Sequence, residues 1–384
     1  MTEILIAPNS FKECMDSVSL AQLFREALQN ELVQRYKIRD FRFLSIPVSD
    51  GGDGFLQVCI ENFRLKKVEL KVSAPFQDDA ISTCYGYSRE NKSVYMESAD
   101  VLGMKLIPEE KRHPLKLSSR GLGELLLHLK NKKISGEMDI ERVIIGIGGT
   151  GTSDFGIGMC SALGLKLLDG SGEELDAVPE NFLLTEGIIW ANPGLDFKVE
   201  IVLDVDAPLL GEKGAARVFA PQKGATPGEV ERLEKGLENI VRILGKKKNT
   251  GDLLGAGGGL AGGLHFFLEG KYKFARDFLK EDLGLNKNKL NPDLIITGEG
   301  SFDSQSMMQK GSFLVLDEFI SKEAMKFVCA GKIKEIPNEL KKENIKFIEI
   351  SKFFSSPEES MRDIKKGVQL ASEEILKIYF RNRS

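Results

Sequence analysis

The chain has 384 residues, 42% of them hydrophobic and 29% charged, which is the composition of a globular protein long enough for two domains. A net charge of −4 with both signs interspersed gives no electrostatic case for nucleic acid or an anionic membrane, and no apolar run approaches the ~18 residues of a membrane span. The N-terminus lacks a basic n-region, and the five cysteines (Cys14, Cys59, Cys84, Cys160, Cys329) lack metal-ligand spacing, so a reduced cytoplasm is the expected compartment.

The opening reads strand, loop, helix. Ile4–Ala7 is a short apolar strand and Pro8–Lys12 a turn-rich loop. A helix then starts near Asp16 or Ser17, both competent N-caps, with Leu20, Leu23, Phe24, Ala27, Leu28 and Leu32 on one face. A second strand, Phe41 to Val48, runs into an acidic loop, and strand–helix–strand with apolar strands predicts a parallel, doubly wound sheet. From about 72 to 125 short alternating segments, such as Ser82–Tyr87 and Ser93–Met96, predict mixed or antiparallel pairing. Val143–Ile145 then leads into a glycine loop and Ile201–Leu203 into Asp204-Val205-Asp206, while a capping box at Thr226–Glu229 starts a helix. After a polar stretch at 284–291, Pro292–Thr297 and Met325–Ala330 read as strands. The capping box Ser356–Glu359 opens a last helix that carries Met361, Ile364, Val368, Ala371 and Ile375 inward. This predicts a two-domain α/β protein. Residues 1–72 and 285–384 form a Rossmann-like domain with a parallel doubly wound sheet drawn from both termini, and residues 73–284 form an inserted mixed-sheet α/β domain. A hinge between the two domains, with one site fed by both, is expected.

Two glycine-rich acidic loops carry the chemistry: Pro47-Val48-Ser49-Asp50-Gly51-Gly52-Asp53-Gly54 and Thr297-Gly298-Glu299-Gly300-Ser301-Phe302-Asp303. Glycines let the backbone approach a ligand and free its N–H groups, while carboxylates hold a cation or take a proton, so the pair points to a polyphosphate–metal site. In open α/β sheets ligands bind beyond the carboxyl ends of strands, a position that Pro8–Lys12 and Ala330–Lys332 share. The three histidines (His113, His128, His265) avoid both acidic loops, leaving acid–base work to carboxylates or lysines; His128 and His265 read as structural. Lys223, ahead of a capped helix, is either a solvated charge or an anion clamp. Gly146–Gly151 fits G-x-G-x-x-G with Asp169 at about ribose distance, the basis of an alternative reading as a nicotinamide-dependent oxidoreductase. Gly257–Gly262 fits the same pattern without a clear preceding strand and reads as a flexible or ligand-approaching loop. Asp154-Phe155-Gly156 spells the protein-kinase DFG, but no H-R-D loop accompanies it, and there is no Walker A sequence.

Taken in order, these loops resemble the glycerate kinase family along nearly the whole chain. Ala7–Lys12 is similar to its A-P-[DN]-x-F-K, and Pro47–Gly54 to its P-x-x-D-G-G-E-G with Asp53 for the glutamate. Ile145–Asp154 resembles I-G-x-G-G-S-A-T-N-D, Asp204–Gly211 resembles D-V-x-N-P-L-x-G except at Ala207, Phe219–Ala225 tracks F-G-P-Q-K-G-A, and Thr297–Gln305 tracks T-G-E-G-x-x-D-x-Q. Two departures stand out: Glu13–Asp16 replaces a small, neutral G-S-L-S, and Gln309-Lys310-Gly311 replaces the usual T-x-x-G-K-x-P order.

The resemblance implies transfer of the γ-phosphoryl group of ATP, with Mg²⁺, to a small hydroxy acid. D-glycerate giving 2-phosphoglycerate is the first candidate, with 3-phosphoglycerate as the other product. Such transfer needs positioning, charge neutralisation and a base for the attacking hydroxyl. Asp50 is then the base or a metal-linked carboxylate, Asp204 the second acidic group, and Asp303 a further metal ligand. Lys12 holds the substrate carboxylate or the phosphoryl group, with Ser10, Asp53 and Lys223 as further substrate contacts. Gly146, Gly148, Gly149 and Thr150, together with Gly298, Glu299 and Gly300, cradle nucleotide phosphates. The implied partner is a small molecule, glycerate, with neither nucleic acid nor membrane, and the chain is a monomer or homodimer. The departures also permit a third reading, a nucleotide- or hydroxy-acid-binding homologue without turnover.

Overall fold

The computed structural model describes residues 1–11, 14–76, 79–245, 251–303, 306, 311–342 and 344–382. In chain order its strands are β1 (Thr2–Ile6), β2 (Phe41–Ser45), β3 (Lys66–Ser73), β4 (Ala80–Ser88), β5 (Ser93–Glu97), β6 (Arg142–Gly146), β7 (Lys166–Leu168), β8 (Glu174–Leu175), β9 (Gly187–Ile189), β10 (Lys198–Leu203), β11 (Lys271–Phe274), β12 (Leu294–Phe302), β13 (Met325–Ile333) and β14 (Ile345–Glu349). They fall into two units, Met1–Asp50 with Ala275–Ser384, and Gly51–Phe274.

The terminal unit is a five-stranded parallel sheet in the order β14-β13-β12-β1-β2. Parallel neighbours need a crossover, which the helix Ser17–Gln34 supplies between β1 and β2. Asp16 starts that helix, its Oδ1 accepting from Ser19 N at 2.8 Å. Leu20, Phe24, Leu28 and Leu32 then pack into one core with Ile4, Ile6, Val368, Ala371 and Ile375, while Leu23 and Ala27 stay half-buried at its margin.

Three expectations change here. β2 ends at Ser45 rather than Val48. β12 does not stop at Thr297 but stays extended through Gly-Glu-Gly to Phe302, paired with a β13 that likewise runs through Gly331-Lys332. The glycines make that pairing close: a Cβ on Gly298 would lie 1.8 Å from Cys329 O, and one on Gly331 2.6 Å from Gly300 O. The last helix is two, Pro357–Arg362 and Ile364–Arg381, because Asp363 leaves the helical conformation (φ −119°, ψ 49°) and its side chain caps Lys366 N. Met361 therefore ends a short helix and is 48% exposed, not inward.

The second unit holds a six-stranded sheet in the order β11-β10-β6-β5-β4-β3, parallel from β11 to β5 and antiparallel from β5 to β3, beside a small antiparallel sheet β8-β7-β9. β3 pairs along its whole length with β4, which draws residues 51–72 into this unit; the boundaries thus fall at 50 and 275, against the expected 72 and 285. The Thr226–Glu229 box forms as expected: Thr226 N and Oγ1 both reach Glu229 Oε2 at 2.8 Å at the start of the helix Pro227–Gly245. Among the described residues no helix is long and apolar enough to cross a membrane.

Candidate active site

In the terminal unit a cavity of about 430 Å³ opens where the strands end. It gathers four expected site residues, Ser10, Asp50, Glu299 and Gly300, and adds Asn9, Ser301 and Lys332. Backbone hydrogen bonds fix the geometry. Asn9 N donates to Gly298 O at 2.8 Å and Thr297 Oγ1 to Ala7 O at 2.8 Å, tying the loop after β1 to β12. Val48 N donates to Pro8 O at 3.0 Å, tying the approach to Asp50 onto the same loop. Asp50 is half-buried, and Glu299 is buried with Ser312 Oγ donating to its Oε1. Asp303 is not among the lining residues; its Oδ2 accepts from Lys334 Nζ at 3.2 Å. Lys12 and Gln305, like Glu13, Gln309 and Lys310 of the two departures, lie outside the described residues.

In the second unit the remainder of the first acidic loop lies against the glycine loop that follows β6. A Cβ on Gly146 would meet Gly51 O at 2.7 Å and the Phe55 ring at 2.5 Å; one on Gly148 would meet Gly52 Cα at 2.4 Å, and one on Gly149 Asp53 Oδ1 at 2.6 Å. These three glycines thus let two loops touch backbone to backbone. Two adjacent buried residues at the end of β5 clasp the pair. Glu97 accepts from Gly54 N (3.1 Å) and Leu56 N (3.0 Å), while Ser98 N donates to Gly146 O (2.9 Å) and Ser98 Oγ accepts from Gly148 N (3.2 Å). Burial, reinforced by the Asp100 carboxylate, pushes the Glu97 carboxyl up to about 8 and outweighs those two N–H groups, which favour its charged form. Asp53 itself pairs with Lys105 at 2.7 Å, and Asp204 sits half-buried just past β10.

Of the two roles open to Lys223, the solvated one is excluded. The side chain is buried, its Nζ donating to Thr152 O at 2.6 Å and reaching Thr150 Oγ1 at 3.4 Å. Burial lowers it to about 7, opposed by Asp154. Gly257, Gly258 and Gly259 all have positive φ, and of the three it is Gly258 that approaches this lysine, a Cβ there coming 2.8 Å from Nζ. Asp169 does not face a ribose site: its Oδ1 accepts from Ser171 and Glu173 N–H groups in its own turn. His265 Nδ1 lies 2.8 Å from Gly270 O, and His128 contacts Tyr85, in line with structural roles.

Comparison with known proteins decides the family. The model of the glycerate kinase family matches residues 4–380. The chain belongs to the glycerate kinase family. It is 34% identical over 315 residues to the glycerate 2-kinase of Escherichia coli (strain K12), covering 80% of this chain and 79% of that one. To a glycerate kinase of Halalkalibacterium halodurans it is 33% identical over 317 residues, covering 81% and 80%. A crystal structure from Salmonella typhimurium LT2 bearing the name glycerate kinase 2 superposes with a TM-score of 0.79 at 28% identity, over 100% of this chain and 99% of that one. The family is one of enzymes, and the nicotinamide reading of Gly146–Gly151 gives way to it. In this glycerate kinase family member the fingerprint glycines face the chain itself, Gly146 and Gly148 meeting residues 51–55 and Gly151 meeting Ile107 and Met104.

The sequence does not single out Glu97 and Ser98, and it names Ser301 and Lys332 only as members of their loops. Lys332 was within reach, since Ala330–Lys332 had been placed at a strand end. Glu97 and Ser98 left only the faint signal of a carboxylate beside a hydroxyl directly after the apolar Val94-Tyr95-Met96.

Proposed function

We propose that the chain transfers the γ-phosphoryl group of ATP to the 2-hydroxyl of D-glycerate, with Mg²⁺, giving 2-phosphoglycerate. The observation that carries this reading is the gathering of Ser10, Asp50, Glu299 and Gly300 around one cavity at the carboxyl ends of parallel strands, in a chain of the glycerate kinase family. The name of the Escherichia coli relative, a glycerate 2-kinase, favours the 2-hydroxyl.

Asp50 takes the proton of the attacking hydroxyl as its oxygen bonds the γ-phosphorus and the bond to the β-phosphate oxygen breaks, releasing ADP. Ser10 orients the acceptor, and Lys12 meets its carboxylate or the moving phosphoryl group. Gly298, Glu299 and Gly300 present extended backbone to the phosphates. The family resemblance also assigns Asp53 and Lys223 to substrate and Asp204 as a second carboxylate, while the faces of Gly146, Gly148 and Gly149, already met by residues 51–55, are left out of the phosphate cradle. Among the described residues no group of three or more His, Cys, Asp or Glu side chains could cage a metal ion. Mg²⁺ ordinarily keeps several waters and takes one or two carboxylates together with substrate phosphates. Asp50 is the first such carboxylate, with Asp204 or Asp303 as the proposed second. Bound with the nucleotide, the ion neutralises charge on the phosphates. The scattered cysteines of the sequence, without metal-ligand spacing, fit the cytoplasm.

Phosphorus NMR of a mixture of the protein, ATP, Mg²⁺ and D-glycerate tests the reading. The expected product is 2-phosphoglycerate. 3-Phosphoglycerate alone would reassign the acceptor hydroxyl, and the absence of any phosphorylated acid would overturn the proposal.

A further inference from the structure

The cavity in the terminal unit is chemically two-sided. Its sheet side is mainly polar, with Asn9, Ser10, Asp50, Glu299, Ser301 and Lys332 outweighing Phe11 and Cys14. The residues it takes from beyond β14 and from the two C-terminal helices are largely apolar: Ile350, Pro357, Met361 and Ile364. Its volume of about 430 Å³ lies within the ~300–1,000 Å³ usual for organic ligands, which generally meet mostly apolar walls and a few placed polar groups.

A two-sided cavity asks for a two-sided ligand. Glycerate is not one, because every carbon of that acid carries oxygen and none would gain from an apolar wall. Of the two reactants only a nucleotide joins a flat, weakly hydrated base to a charged tail. We propose that this cavity seats the nucleoside of the phosphoryl donor, the base against Ile350, Pro357, Met361 and Ile364 and the phosphates toward Ser301 and Lys332. The inference rests on the kinase reading above. Ser301 strengthens it: its Oγ is buried and has no hydrogen-bond partner among the described residues. Such a group costs stability unless something arrives to bond it, and a ribose hydroxyl or phosphate oxygen would do so. In the second unit, by contrast, the faces of Gly146, Gly148 and Gly149 are filled by the chain itself.

Met361 is the residue to change, because it lines the cavity yet is half-exposed at the end of a short helix. Calorimetric titration of the full chain with ATP, adenosine and inorganic tripolyphosphate is carried out on the wild type, Met361→Asp and Met361→Lys. Either charge places an ion where the base should lie, so both variants should bind ATP and adenosine about tenfold more weakly, with tripolyphosphate little changed. Unchanged adenosine binding in both variants would overturn the seat. So would a tighter grip on ATP in Met361→Lys beside a weaker one in Met361→Asp, since that pattern reports charge acting on phosphates alone. The outcomes separate the two proposals. Normal adenosine binding in the variants of a protein that makes phosphoglycerate removes the seat and leaves the kinase reading. Expected binding shifts in a protein that makes none keep the seat and remove the kinase reading.

Discussion

The two acidic glycine-rich segments look alike as sequence and differ as backbone. In Pro47–Gly54 glycine reverses the chain: Gly51 and Gly54 have φ of 98° and 87°, values that favour residues without a Cβ. In Thr297–Gly300 nothing reverses. β12 stays extended, and Gly298 is needed because β13 passes too close for a side chain. The carboxylates divide in the same way. Asp50 stands half-buried at the cavity, while Glu299 is buried and receives the Ser312 hydroxyl. Glycine beside a carboxylate thus marks backbone beside the cavity, past the end of a strand in one segment and within a strand in the other.

The largest test of this contrast is on turnover. Asp50→Asn should lower kcat by ~10²–10⁴-fold, the usual worth of a general base, with the melting temperature nearly unchanged. Glu299→Gln should lose less kcat and more stability, because its carboxylate is buried and bonded. The reverse ranking would exchange their roles. Next in size is Gly298→Ala, where the new methyl meets the Cys329 carbonyl and overpacking should cost ~1–3 kcal/mol or more in urea unfolding. Gly54→Ala should cost only ~1–2 kcal/mol, since a Cβ there meets nothing within 4 Å and the penalty is the left-handed backbone alone. Equal costs at the two glycines would erase the distinction.

The last expected effect is a slope with pH. The Glu97 carboxyl is raised from an ordinary 4.5 to about 8, so the folded chain keeps a proton that the unfolded chain releases. Its contribution to stability is full below about pH 4.5 and is lost as pH rises through about 8. Unfolding free energies of Glu97→Gln and wild type, compared at several pH values across that window, should show the wild type losing stability relative to the variant as pH rises. Parallel curves would show that Glu97 does not titrate there.

Much of the frame was legible because it is local. β1, β6, β10, β12 and β13 announce themselves as apolar runs, and Asp16, Thr226 and Ser356 cap helices within three residues of the groups they serve. Ser10, Asp50, Glu299 and Gly300 could be placed at one sheet edge because parallel strands point their ends the same way. What escaped depends on distant neighbours. Nothing near Gly148 in sequence reveals that Gly52 will press against it, and nothing near Lys223 reveals that its partner is the Thr152 carbonyl. The run of β12 past Thr297 depends likewise on the register with β13, and the break at Asp363 on a side chain that caps its own successor helix.

The order of the terminal sheet has a consequence for how the chain is made. β1 lies between β2 and β12, and Ile4 finds its partner in Leu294, as Glu3 does in Asp293 across 290 residues. At ~5–20 residues per second on the ribosome, β1 waits on the order of 15–60 s for that neighbour to emerge. The unit spanning 51–274 is contiguous and can close its own sheet during the wait. Synthesis therefore leaves an unfinished strand edge, β1 with an unpaired flank, tethered to a finished body, and this interval is when the nascent chain most needs protection from wrong partners.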